Sequence, residues 1–256
     1  MRALVVATAV FAAVPAFADP TDMVSRPIVL DRGELLAALS IEVNLELRRV
    51  GMPTSIAPDL WFGVTSRWTI GLVHSSHSVD RIDTGSTFCV RELPTKCDRL
   101  IRGTGIDVRW RARGGALAVA PRGRLLLRDV DPMKPALTLG ALARWTDGRY
   151  SITTDPYLRL GLANRDLGNR AALMIPLWFA VQPGDRWQIA LHTGWESELA
   201  VWRDGWHVPF GLVVQIRATD QLELGLEAGF SSLLGPQNNI KQRVVIATVQ
   251  WRGEML

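Results

Sequence analysis

The chain has 256 residues, 29 basic against 25 acidic for a formal charge of +4, with two cysteines and four histidines. Its length suits one domain, since all-β units run to about 200–250 residues; arginines spaced singly along near-balanced charge exclude a polyanion binder, nucleic acid included. Beyond the first residues the longest apolar run, 171–181, is too short for a membrane-spanning helix and contains Pro176.

Met1 and Arg2 precede an apolar run, 3–14, followed by Pro15 and the small-residue pattern Ala16, Phe17, Ala18. This is the layout of a secretory signal peptide over residues 1–18, cleaved before Asp19. Export makes the mature compartment oxidising. Residues 19–35 hold Pro20, Pro27 and Gly33 and form a periplasmic lead-in. The simpler expectation for it is a mobile terminus; the alternative is a segment that folds into a barrel and narrows it.

The first predicted strand covers 36–47, with Ile41, Val43, Leu45 and Leu47 on one parity and Glu42, Asn44 and Glu46 on the other. A loop at 48–58 leads to Leu60, Phe62 and Val64, and a tight break at Thr65, Ser66 and Arg67 leads to Trp68, Ile70 and Leu72. The longest connection, 77–102, holds Cys89 and Cys97, which straddle Pro94 and are expected to form a disulfide closing a small loop. No histidine or third cysteine stands near them at metal-ligand spacing. A fourth strand sets Ile106, Val108 and Trp110 against Asp107, Arg109 and Arg111.

After a turn at Arg113, Gly114 and Gly115 comes a less regular fifth strand, 116–127, then a loop at 129–135 and a sixth strand at 136–145. Asp147 and Gly148 mark a turn. The seventh strand, 149–162, contains Asp155 and Pro156, which predict a bulge; the eighth, 171–181, turns through 182–186 into the ninth, 187–195. Strands ten to twelve lie at 208–218, 222–230 and 243–251. Pro121, Pro156 and Pro176 each remove a ladder hydrogen bond, so bulges or strand ends are expected there, and loss of one strand pair would leave ten strands.

The hairpin at 208–230 has one apolar face and one charged face. A two-residue turn at Thr219 and Asp220 would oppose Arg217 to Leu222, forcing unlike faces together. A three-residue turn pairs Ala218 with Leu222 and Arg217 with Glu223, where opposite charges attract. Taken alone, the pattern suits either a barrel with lipid outside or a soluble sandwich with leucines inside. Connection lengths favour the barrel: tight turns near Arg67, Gly114, Gly148, Gly184 and Asp220 alternate with longer loops, as periplasmic turns alternate with outer loops. Trp68, Trp145, Trp187 and Trp251 fall at strand ends on the tight-turn side, and Phe62, Trp195 and Phe230 toward the other, as two aromatic girdles. Lys96, Lys134 and Lys241 all fall in predicted outer loops.

On these features the whole mature chain resembles the bacterial outer-membrane β-barrel (porin-like) family, and its last strand, with Trp251 near the end, is similar to the terminal signal by which such barrels are recognised for assembly. The chain departs from that pattern by continuing through Arg252 to Leu256. The strand pattern gives twelve antiparallel strands of an all-β transmembrane barrel, and the resemblance implies its insertion in the cell outer membrane, with outer-membrane lipid and the barrel assembly machinery as partners.

Parity assigns Glu42, Asn44, Glu46, Asp107, Arg109, Arg111, Arg144, Arg159, His192, Gln215, Arg217, Glu223 and Glu227 to the lumen. Twelve strands lie between barrels filled by side chains and those enclosing an aqueous channel. The reading is a narrow passive channel for small polar solutes or ions, without cofactor, metal or catalytic residues; the alternatives are a closed structural or surface-interaction barrel and a lipid hydrolase. In the last, His192 would be a general base beside a serine. His74, His77 and Asp80 have weak metal spacing, and Trp202 and Trp206 mark an outer loop that could bind a ligand, pack on the rim or sit among lipopolysaccharide.

Overall fold

A computed structural model describes residues 23–254 apart from 48, 76–87, 93–96, 98, 237 and 242. The predicted leader, His77, Asp80 and Lys96 lie outside the described residues. One antiparallel sheet contains β1 Glu34–Asn44, β2 Thr54–Thr65, β3 Trp68–Val73, β4 Phe88–Arg91, β5 Thr104–Trp110, β6 Leu117–Val130, β7 Met133–Asp147, β8 Tyr150–Thr154, β9 Tyr157–Gly161, β10 Ala172–Gly184, β11 Trp187–Glu198, β12 Trp206–Arg217, β13 Leu222–Leu234 and β14 Arg243–Glu254. β1 pairs with both β2 and β14, so the sheet closes. β8 and β9 lie end to end between β7 and β10 as one broken strand, and β4 is an extra ribbon on the end of β2. The wall therefore has twelve strands and no free edge.

Period-two alternation sorts the side chains. Along β3, Trp68, Ile70 and Leu72 are exposed and Thr69, Gly71 and Val73 are buried. The same outward face carries Leu39, Leu60, Ile106, Leu125, Leu139, Phe179, Leu212 and Val249, all at least two-fifths exposed. A closed sheet with an apolar belt on its outside decides against the soluble sandwich, which would turn these leucines into a core. Between β12 and β13, Arg217 opposes Glu223, and the Ala218 amide donates to the Leu222 carbonyl at 2.9 Å, the register of a three-residue turn.

Several connections differ from the sequence reading. Only Asp131 and Pro132 separate β6 from β7, so the loop expected at 129–135 is a tight turn. Lys134 is consequently a strand residue, 3.7 Å from Asp129, and not a loop lysine. β2 starts at Thr54, inside the loop expected at 48–58, because the β1 ladder continues to Thr54 opposite Val43. Pro156 marks the break between β8 and β9; Pro121 and Pro176, where bulges or ends were also expected, lie within β6 and β10. Cys89 and Cys97 form the disulfide.

The expectation of a mobile lead-in is corrected over its described part. Met23, Val24, Ile28, Val29 and Leu30 are buried. Leu30 packs with Trp61 of β2 and Leu126 of β6, Val29 with Ala120, and Val24 with Ala180 and Ala190 of β10 and β11. Backbone inside a barrel needs hydrogen-bond partners that solvent would otherwise supply. Here the Leu30 amide donates to Thr69 Oγ1 at 2.8 Å, the Gly33 amide to the Gly63 carbonyl at 2.8 Å, and the Val24 amide to Gln182 Oε1 at 3.3 Å. Arg111 donates to the Val29 carbonyl and Arg144 to the Arg26 carbonyl, each at 2.6 Å, while the Arg26 side chain pairs with Glu223 of β13. These contacts reach opposite walls, so residues 23–31 cross the lumen at the tight-turn end.

Candidate functional site

Beyond that crossing segment lies an interior cavity of about 380 Å³, with Met23 in its lining. Arg109, Arg122 and Arg144 line it from β5 to β7, and Gln188, Gln215, Glu227 and Thr248 from β11 to β14. The two halves differ in how their charges are held.

Asp107 organises the first half. Directly opposed strand positions share a face, so β2, β3, β5 and β6 bring Trp61, Gly71, Asp107 and Arg124 into one row, with Arg109 and Arg122 alongside. Asp107, fully buried, accepts from Trp61 Nε1 at 2.9 Å, Arg109 Nε at 2.8 Å and Arg122 Nε at 2.7 Å. Gly71 makes the first of these possible: a Cβ there would lie 2.2 Å from the Trp61 ring that crosses it. Arg122 also pairs with Asp155, whose side chain is buried at the β8–β9 break. Farther along, the Arg124 guanidinium lies 4.2 Å from the Tyr157 ring centroid and donates to Thr138 Oγ1 at 2.9 Å. Arg159 is fully buried and donates to the Arg170 carbonyl at 3.2 Å.

The other half is built around His192 of β11. Its ring stacks on Trp178, centroids 4.7 Å apart, and Nδ1 is 2.7 Å from Glu227 Oε1 on β13. Glu227 reaches across Gly211, where a Cβ would sit 2.6 Å from Oε1. Gly211→Ala is therefore expected to push Glu227 off His192 and cost about 1–2 kcal/mol in urea unfolding of the reconstituted barrel. Gly225→Ala on the same wall meets only ordinary contacts of 3.5 Å or more and is expected to be near neutral. Equal losses would reject this account of Gly211.

Of the residues that parity assigned to the lumen, Glu42, Asp107, Arg159 and Glu223 are buried, and Arg109, Arg144, Gln215 and Glu227 line the cavity. Arg217 is half-buried at the end of β12, and Arg111 lies just past β5 beside the crossing segment. Asn44 donates to the Met52 carbonyl. Glu46 does not share their wall: β1 ends at Asn44, and the Glu46 amide bonds to Asn44 Oδ1 in the loop. Arg122, Arg124 and Asp155 were missed. The signal existed, since Arg122, Arg124 and Arg128 alternate with Pro121, Gly123, Leu125 and Leu127.

Among the aromatics, Trp68, Trp145 and Trp187 are exposed on the tight-turn side, and Trp68 sits 6.3 Å from Trp110, a partner the girdle reading did not include. Trp195 and Phe230 are half-buried, the latter with Arg243 over its ring at 5.9 Å; Trp251 lies over Gly253. Trp202 is exposed, and Trp206 begins β12 against Gly235. His74 Nδ1 lies 2.6 Å from the Pro58 carbonyl and Nε2 3.2 Å from Thr104 Oγ1.

No family model matches the chain, and no curated protein matches it. Solved structures do. A KdgM porin in complex with disordered oligogalacturonate superposes at TM-score 0.59 and 7% identity, covering 84% of this chain and 98% of the other. The chain has the fold of an outer-membrane porin. A NanC porin gives TM-score 0.59 at 9% identity, over 86% of this porin-like chain and 100% of its own. An outer membrane channel from Pseudomonas putida F1 gives 0.53 at 11%, over 88% and 97%.

Proposed function

We propose that this porin-like barrel is a narrow passive channel of the outer membrane for small polar solutes or ions, with residues 23–31 restricting its periplasmic mouth. The observation that carries the reading is the cavity of about 380 Å³ lined by ionic and amide side chains inside a wall whose outside is apolar. A purely structural barrel needs no unfilled space along its interior, and the ionic and amide groups that line this one suit a polar solute. In this reading His192 is a wall residue tied to Glu227 and not a general base. The KdgM structure with oligogalacturonate supports polar solutes as the class that such a barrel passes. Lipid surrounds the belt, and the assembly machinery inserts the chain.

Single-channel recording of the refolded mature protein in a planar bilayer tests this. Brief, salt-dependent steps are expected; silence from protein shown to be inserted and folded would overturn the channel reading. Glu223→Gln with Glu227→Gln should shift the reversal potential toward anions, because negative lumen charge attracts cations. An unchanged reversal potential in a conducting protein would remove those two carboxylates from the solute path.

A further inference from the structure

A second cavity, about 460 Å³, opens at the tight-turn mouth against residues 25–29 of the crossing segment. Among the described residues that line it, four are arginines, Arg26, Arg111, Arg113 and Arg144, and none is acidic. Arg26 pairs with Glu223, and Arg111 lies 3.0 Å from Asp31. Arg113 and Arg144 have no carboxylate partner among the described residues; Arg144 donates to Thr153 Oγ1 and the Arg26 carbonyl, and Arg113 stands exposed on its turn. Among the described residues, Arg144 alone lines both this cavity and the interior one. Two of the guanidiniums that fasten the segment, Arg111 and Arg144, thus spend hydrogen bonds on neutral carbonyls beside an open, positively charged space.

We propose that this mouth cavity is an oxyanion site, and that a carboxylate or phosphate of the permeating solute binds there in competition with the Arg26 and Val29 carbonyls and loosens residues 23–31. The proposal rests on the channel reading for its solute. Its chemistry is a difference between acceptors: an oxyanion accepts two parallel bonds from a guanidinium, and a charge-assisted bond is about twice as strong as one to a neutral oxygen. The volume falls within the range of small-molecule sites. The space beside the entrance is open, since a Cβ at Gly114 or Gly115 would meet nothing within 4 Å.

Citrate serves as the probe, titrated calorimetrically into the refolded mature protein in phosphatidylcholine nanodiscs against a chloride background. Binding is expected, and Arg113→Gln, an exposed turn substitution that leaves folding intact, should weaken it about tenfold, as loss of a charged hydrogen bond does. No binding, or binding unaltered by both Arg113→Gln and Arg111→Gln, would overturn the site. Release is read separately from the rate at which a soluble maleimide labels a Val24→Cys variant, where the native side chain is 3% exposed. Citrate should speed labelling severalfold, and Arg113→Gln should abolish the effect; bound citrate without faster labelling would overturn the competition with the segment. A phospholipid headgroup carries the same oxyanion, so citrate binding abolished by phosphatidylglycerol in the disc would assign the site to lipid and overturn the solute. Neither readout needs conduction, so a silent bilayer recording would sink the channel reading and leave these results standing.

Discussion

Deleting residues 23–31 is expected to raise single-channel conductance severalfold and to lengthen openings, the largest change in passage available to this chain. The segment spans the lumen, and its fastenings are spread over both walls: Thr69 on one side, Gln182 and Glu223 on the other. The wall does not depend on it, because the twelve strands close through their own ladder from β14 to β1. Burial of its five apolar side chains contributes roughly 1.5–3 kcal/mol each at most, so the deleted barrel is expected to be less stable yet folded. Gly63→Ala should act in the same direction more weakly: a Cβ there would lie 1.8 Å from the Asp31 carbonyl oxygen, backbone against backbone, so the segment must give way. A folded deletion variant that conducts no better than the intact chain would show that the lumen is closed elsewhere, and would favour the structural-barrel alternative.

Much of the wall could be read from the sequence because period-two alternation and turn length are local signals. The 208–230 hairpin shows why: its register follows from one rule, that opposed residues share a face, and the structure keeps Arg217 against Glu223. The turn at Asp131 and Pro132 was obscured because Asp129 and Pro135 extend the turn-former signal into the paired ends of β6 and β7. The lead-in was misread for a different reason. Its fate depends on partners far along the chain, Arg111, Arg144, Gln182 and Glu223, and nothing local in Ser25, Arg26 or Pro27 announces them. The site has the same split: parity could place Asp107 and Arg109 on the polar face, but only the register of the neighbouring strands brings Trp61 of β2 and Asp155 of the β8–β9 break to the same cluster. The alternation of Arg122 and Arg124 is masked by Pro121, which by itself signals a strand end yet pairs with Ala141 inside the ladder.

Asp107→Ala is expected to cost about 3–5 kcal/mol in urea unfolding, the largest loss of stability from a single substitution in the lumen. Burial of one carboxylate with two guanidiniums is tolerable only while the carboxylate remains; without it Arg109 keeps a bond to the Ile28 carbonyl at 3.4 Å, and Arg122 keeps Asp155. Because Arg122 has that second acid, Arg109 bears most of the uncompensated charge. Asp107→Ala combined with Arg109→Ala should therefore lose less than the sum of the two single variants, whereas Asp107→Ala with a distant Val249→Ala should be additive. The same carboxylate also shapes passage, since it draws both guanidiniums toward the wall and cancels one of their charges. A folded Asp107→Asn barrel should consequently select more strongly for anions than the parent, its reversal potential moving as the stability falls. Loss of under 1 kcal/mol for Asp107→Ala would mean that water screens the cluster, and the network would then be a feature of a wet pore and not a prop of the wall.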